Sequence, residues 1–388
     1  MNNPIYRSAK SLLLVSAAIC STQLLAADEI WPNLPEGIKS GVAVQSNGKL
    51  FVGLGSAGQH MYSLDLESVN KGWQKLPDFI GPARNGATAT VADGKILVFG
   101  GAGKVNASDR APIIFNSVYS FDIKDNRWIE EKTRSPVGLL GASSYTDDSG
   151  EVIFIGGYNK QLFDTYLSDI TAVDKKSDPV KWQKIVDDYM GMKPQDYRWN
   201  TQVLSYSIKG NKWSDLGTSP YTPNCGSALV IDNNTATLVS GEIKPGLRTA
   251  EVKSLKVIDG NVSWKTMSAL PQPSGQSLQE GVAGAYAGKI GDALVVMGGA
   301  NFHGARQQFE EGGLFAHNGL SKAYNPEVYV MKGSQWKQVN DLPKGMAYGA
   351  SFTLPSGILV VGGENKKREA LNDVFLVTLS ESGVAITD

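Results

Sequence analysis

Ile96-Leu97-Val98-Phe99-Gly100-Gly101 is the stretch that decides the fold. Four consecutive apolar residues read as a strand buried on both faces, and the glycine pair stops it. The phrase recurs as LFVGLG (Leu50–Gly55), VIFIGG (Val152–Gly157), TLVSGE (Thr237–Glu242), LVVMGG (Leu294–Gly299) and ILVVGG (Ile358–Gly363). After each but the last, a second element ends in a tryptophan: Trp73, Trp128, Trp213, Trp264 and Trp336. A proline follows a few residues later, at Pro77, Pro136, Pro220, Pro271 and Pro343, and Tyr62, Tyr119, Tyr206 and Tyr329 open the strand before the tryptophan. Self-similarity across the whole chain marks one repeat architecture, not a string of unrelated domains.

The pattern resembles the kelch repeat, in which a four-stranded antiparallel sheet forms one blade of a β-propeller. The resemblance implies an all-β, six-bladed kelch-type β-propeller over residues 28–388. Its glycine pairs allow backbones to crowd near the central channel, and its aromatic residues fill the space between blades. The sixth repeat stops before any tryptophan, whereas Trp31-Pro32-Asn33-Leu34-Pro35 carries the missing piece at the other terminus. An amino-terminal strand is therefore expected to close the last blade and leave no open edge. Two insertions break the rhythm, at 158–200 and 301–324. Within the first, Trp182, Ile185, Val186 and Tyr189 fall at helical spacing between Asp178-Pro179 and Gly191, which predicts a helix near 177–190 that decorates the propeller.

Composition narrows the functional classes. Residues 1–27 read as a secretory signal: Arg7 and Lys10 precede the apolar run Leu12–Ile19, and Ala26-Ala27 offers a cleavage site. Without Arg7 and Lys10 the 37 basic residues become 35 against 38 acids, a net of about −3. That balance suggests neither a nucleic-acid partner nor an anionic membrane surface. No later stretch reaches the roughly 20 apolar residues of a membrane span. The mature chain is expected to be exported, with no membrane attachment after cleavage and a homodimer as one open assembly. Of two cysteines only Cys225 survives cleavage, so no intrachain disulfide can form. There is no phosphate-binding glycine loop, and His60, His303 and His317 are too scattered to suggest a metal site. No cofactor is expected.

The remaining chemistry lies at strand ends. In Leu238–Arg248, LVSGEIKPGLR, the strand runs into Ser240-Gly241, then Glu242, a Pro245-Gly246 turn and Arg248. The residue after the glycine pair should face the channel mouth. There the blades carry Ser56, Ala102, Tyr158, Glu242, Ala300 and Glu364, which makes Glu242 and Glu364 candidates. Arg84, Arg248 and Arg306 could face the same mouth and grip an anionic ligand through paired hydrogen bonds. Arg84 also suits a purely structural role tying blades together.

The segment GEIKPGLRT (Gly241–Thr249) resembles the signature of the periplasmic N-acetylneuraminate epimerases, or sialate mutarotases. Similar stretches are GLGSAG (Gly53–Gly58), GPAR (Gly81–Arg84), FHGAR (Phe302–Arg306) and Ala316–Tyr324. The resemblance implies a periplasmic isomerase that interconverts the α and β anomers of free N-acetylneuraminic acid, a small anionic sugar. It places the active-site acid on Glu242 and the neighbouring arginine on Arg248, with Arg84 and Arg306 as further substrate-binding candidates. One departure is Met346, which stands before Ala347-Tyr348-Gly349 where the family tends to carry arginine. The rivals are a non-catalytic glycan-binding propeller and a sialidase-like glycosidase. The latter's Ser-x-Asp-x-Gly-x-x-Trp boxes are absent from the sequence.

Overall fold

The computed structural model describes residues 30–381 and 383–387. The expected signal, 1–27, lies outside the described residues. Six antiparallel sheets form the blades, five of four strands and one, beginning at Asn85, whose four-strand core gains a short fifth strand, Ile113–Ile114. Blade 1 holds Val42–Ser46, Lys49–Gly53, Met61–Asp65 and Gln74–Lys75. The remaining blades begin at Asn85, Ser143, Ala228, Tyr286 and Ala350. In each, the apolar strand before the glycine pair is second and almost wholly buried, as in Val152–Ile155 and Ala293–Met297. Such strands are sandwiched between neighbouring blades, which is why they read as continuous apolar runs.

Tryptophans stand in the outermost strand or immediately before it, as Trp128 and Trp73 do, and do not end the third strand. Four indole N–H groups donate across to a neighbouring segment: Trp73 to Pro32 O of the amino-terminal segment, Trp128 to Pro77 O, Trp213 to Thr133 Oγ1 and Trp336 to Ser268 O, at 2.7–3.0 Å. The repeated tryptophan thus marks an inter-blade joint.

At the centre the backbone closes a ring. Gly86 N–H donates to Ser40 O, Gly141 to Gly86, Gly226 to Gly141, Gly284 to Gly226, Tyr348 to Gly284, and Ser40 to Tyr348, all at 2.8–2.9 Å. All six residues have φ between 52° and 69°. Glycine adopts that conformation freely, whereas Ser40 and Tyr348 adopt it at a cost.

Closure differs from the sequence expectation. The fourth strand of blade 6 is the carboxy-terminal Gly383–Thr387, paired with Ala370–Ser380, and not an amino-terminal strand. Two prolines, Pro32 and Pro35, suit the amino-terminal segment poorly to a ladder. It instead binds blade 6 through Leu34 N to Asn372 O (2.9 Å) and Ile38 N to Leu371 O (3.0 Å), while Pro32 O receives Trp73 of blade 1. Leu34 and Trp31 are buried among side chains of blades 1 and 6. The amino terminus seals the ring as a clamp, and the carboxy terminus completes the sheet.

The first insertion carries two helices, α1 (Lys160–Ala172) and α2 (Pro179–Met190). Asp178 caps α2 by accepting from Lys181 N, and Val186 and Tyr189 are its buried face. The Tyr166 and Tyr189 rings stack 4.0 Å apart, joining the helices. The second insertion is a hairpin of Ala300–Phe302 with Lys322–Tyr324, and within it lies the short helix α3 (Ala305–Glu310).

Candidate active site

The six-residue ring is the floor of a cavity of about 660 Å³, in the size range of small-molecule sites. Its walls include Tyr158, Glu242, Arg248, His317, Lys322 and Glu364. Glu242 reaches it because its N–H and C=O pair with Cys225 (2.8 and 2.9 Å), so the residue after the glycine pair continues the blade's inner edge. Behind it, buried Ser240 donates to Thr249 O (2.5 Å) and accepts from Val282 N (2.7 Å), pinning the strand end. The chain then turns back through Pro245-Gly246, and Glu242 pairs across the hairpin with Arg248.

Three donors surround the Glu242 carboxylate. Tyr158 Oη donates to Oε2 at 2.7 Å, Gly246 N to Oε1 at 2.9 Å, and Arg248 Nη1 lies 3.2 Å from Oε1. Tyr158 is held between Trp199 (4.3 Å between centroids) and Phe163 (5.2 Å) of the first insertion. Burial and the adjacent carboxylate push its phenol well above the ordinary value, so it stays a donor. Arg248 is only 4% exposed. Burial opposes its charge most, but Glu242, Tyr348 and Tyr158 together outweigh burial and hold the guanidinium more firmly protonated than usual. Its buried Nε has no hydrogen-bond partner, and Nη1 has only the ion pair with Glu242. A buried, charged guanidinium with a donor still free beside a cavity suits an incoming carboxylate.

Across the floor, Glu364 of blade 6 accepts from Tyr324 and Lys39. Burial works to raise its pKa, yet these two donors and nearby Lys322 bring it below the usual carboxylate value. His317 projects over the turn with Nδ1 unpartnered. Burial, helped by Arg248 and Lys244, favours its neutral form against the pull of Glu242.

Of the four residues expected from sequence, the structure brings Glu242 and Arg248 together at the cavity. Arg84 is elsewhere: 1% exposed, it donates to Pro82 O and Gly100 O (both 3.1 Å). Its guanidinium lies 4.5–5.0 Å from the Phe115, Phe79 and Tyr119 rings, so it ties blade segments together in place of meeting the cavity. Arg306 sits behind the wall and donates through Nη2 to Arg248 O, bracing the arginine that does line the site. Tyr158, Lys322 and Tyr348 were not singled out from sequence as site residues. Tyr158 occupies the same post-glycine position as Glu242, and that shared position is the signal that finds it. Met346 is fully buried in the blade 5–6 core, so this departure changes packing. Among the described residues no three His, Cys, Asp or Glu side chains could hold a metal ion.

A model of the N-acetylneuraminate epimerase family matches residues 31–386. An N-acetylneuraminate epimerase of Vibrio vulnificus strain YJ016 is 54% identical over 97% of this chain and 97% of its own. One from Vibrio cholerae serotype O1 is 52% identical over 100% of both chains. The solved "Structure of YjhT" superposes with a TM-score of 0.86 at 33% identity, covering 93% of this chain and 100% of that one. With a full-length match to the family model and relatives sharing half its residues, the chain belongs to the N-acetylneuraminate epimerase family.

Proposed function

We propose that this protein is a periplasmic isomerase that speeds interconversion of the α and β anomers of free N-acetylneuraminic acid without a cofactor. The observation that carries the reading is the pairing, in one cavity, of the Glu242 carboxylate with the buried guanidinium of Arg248, whose Nε has no hydrogen-bond partner. The sugar is a cyclic hemiketal, so exchanging anomers means opening the ring to a ketone and closing it on the other face. Arg248 binds the sugar carboxylate through its positive charge and its free Nε–H. That places the anomeric carbon, to which the carboxylate is attached, beside Glu242. Glu242 removes the proton of the anomeric hydroxyl and returns it to the ketone oxygen on closure. Gly246 N–H and Tyr158 hold the carboxylate in position. Positioned proton transfer contributes about 10² to 10⁴-fold, enough for a reaction that already proceeds in water.

Glu242→Gln preserves the shape of the site and removes the base. It should lower kcat for anomer exchange, followed by proton NMR, by about 10² to 10⁴-fold with saturable sugar binding retained. Exchange at the native rate in a folded Glu242→Gln protein would show that Glu242 is not the base. A wild-type protein that binds the sugar without accelerating exchange would be a glycan-binding propeller.

A further inference from the structure

Ring opening also needs a proton delivered to the ring oxygen, and most polar groups of the cavity cannot supply it. Tyr158 is committed to Glu242 and held as a phenol. Arginine does not release protons near neutral pH. Neutral His317 carries one N–H, which engages the Pro245 carbonyl and leaves Nδ1 bare. Lys39 is bound to Glu364 and to Arg368 O.

Lys322 is different. It lies on the Lys322–Tyr324 strand of the second insertion and lines the same cavity, with its side chain 25% exposed. Its ammonium is 3.9 Å from Glu364 Oε1, beyond hydrogen-bond reach, and 4.9 Å from the Tyr348 ring centroid. Among the described residues no hydrogen bond occupies its N–H groups, so all three are available to a ligand. We propose that Lys322 is the general acid of the reaction, its ammonium protonating the sugar's ring oxygen while Glu242 takes the anomeric proton. This deepens the anomerase reading and rests on it.

The step balances without a further reagent. The bond between the anomeric carbon and the ring oxygen breaks, its electron pair stays on that oxygen, and the Lys322 proton converts it to a hydroxyl. The anomeric oxygen becomes the ketone and its proton resides on Glu242. After rotation about the bond that joined the anomeric carbon to its neighbouring ring carbon the steps reverse: the Lys322 amine takes the hydroxyl proton as that oxygen attacks the other face. Both residues finish as they began. The charges around Lys322 suit a group that must both give and regain a proton. Burial, with Arg248 and Arg368, lowers its pKa from the ordinary lysine value, while Glu364 and Glu242 oppose that loss. The Tyr348 and Tyr324 rings cover it, and both phenols are raised above their usual range.

The test is anomer-exchange kinetics by NMR across pH for wild type, Lys322→Met, Lys322→Arg and Lys322→Ala, with sugar binding measured separately. Both Lys322→Met and Lys322→Arg should lose about 10²-fold in kcat with KM changed less than about threefold, since arginine keeps the charge but not the exchangeable proton. Wild-type kcat should fall as pH rises through the lowered Lys322 pKa, and that limb should vanish in Lys322→Arg. Methylammonium should restore part of the rate to Lys322→Ala, which a folding defect would not allow. A native kcat in Lys322→Arg with only KM raised in Lys322→Met would make Lys322 a carboxylate-binding cation and overturn the proposal. Loss of rate with the basic limb intact and no amine rescue would overturn it equally. Wild type without exchange activity would instead overturn the function on which this rests.

Discussion

Gly246 meets two demands at once. Its φ is +83°, and a Cβ there would lie 1.7 Å from His317 Nδ1. Gly246→Ala should push His317 away and swing the N–H off Glu242, lowering kcat while the blades remain folded; steady-state exchange kinetics beside circular dichroism check this. Tyr158→Phe removes one hydrogen bond to a charged group and should cost about 10 to 100-fold in kcat, with KM little changed. His317 sets a pH dependence of stability. Its folded pKa is lowered, so below about pH 6.5 the unfolded chain binds a proton that the folded protein resists. Stability should therefore fall as pH drops through that region, and His317→Gln should flatten the dependence in denaturant titrations. At this scale the sequence was informative where the signal is local. Glu242 and Arg248 flank one short turn, so hairpin geometry alone brings them together. Arg84 could not be placed that way, because facing the channel or the neighbouring blade depends on which rings fold around it. Lys322 lies on the insertion of the next blade, and only the packing of the two blades around one cavity shows that it shares the site with Glu242.

Lys244 anchors the Glu242 hairpin to both insertions. It is fully buried, and its ammonium donates to Met190 O (2.9 Å), Met192 O (2.7 Å) and Leu314 O. Met190 ends α2, and Leu314 belongs to the second insertion. Lys244→Met leaves three carbonyls unpaired and should destabilise the protein by about 1–3 kcal/mol. Amide hydrogen exchange should rise at the end of α2 and near Leu314, while the six sheets stay protected. The helix α2 is legible because a cap, a proline, four apolar residues at helical spacing and a glycine agree. Helix α1 is written in the same terms: Asn159 accepts from Leu162 N, and Phe163, Tyr166, Leu167 and Ile170 share one face. Its position directly after a strand and its lack of fully buried residues make that face easy to read as loop. Neither pattern says that both insertions converge on one buried lysine, which depends on carbonyls far apart in sequence.

Closure of the propeller depends on contacts that no single repeat contains. The period of glycine pairs and tryptophans yields six blades, and six blade sheets are found, five of four strands and one with a short fifth. Which terminus supplies the last strand was not legible, because Gly383–Thr387 lacks the tryptophan that marks the other outer strands. Trp31-Pro32 meanwhile mimics the inter-blade joint without being a strand. The central hydrogen-bond ring was also hidden, since two of its six positions are Ser40 and Tyr348 where the others are glycine. Removing residues 30–35 should expose the surfaces that bury Leu34 and Trp31, lowering stability by about 3 kcal/mol or more in thermal unfolding. It should leave the sheet of blade 6 intact. The ring matters because it is the cavity floor, around which the Glu242 hairpin of blade 4, Lys322 of blade 5 and Glu364 of blade 6 are set. The most direct test is the rate of exchange between α- and β-N-acetylneuraminic acid, followed by proton NMR with and without catalytic amounts of the protein. The predicted result is exchange well above the buffer rate, proportional to protein and suppressed in Glu242→Gln; an unchanged buffer rate in the presence of folded wild-type protein would contradict it.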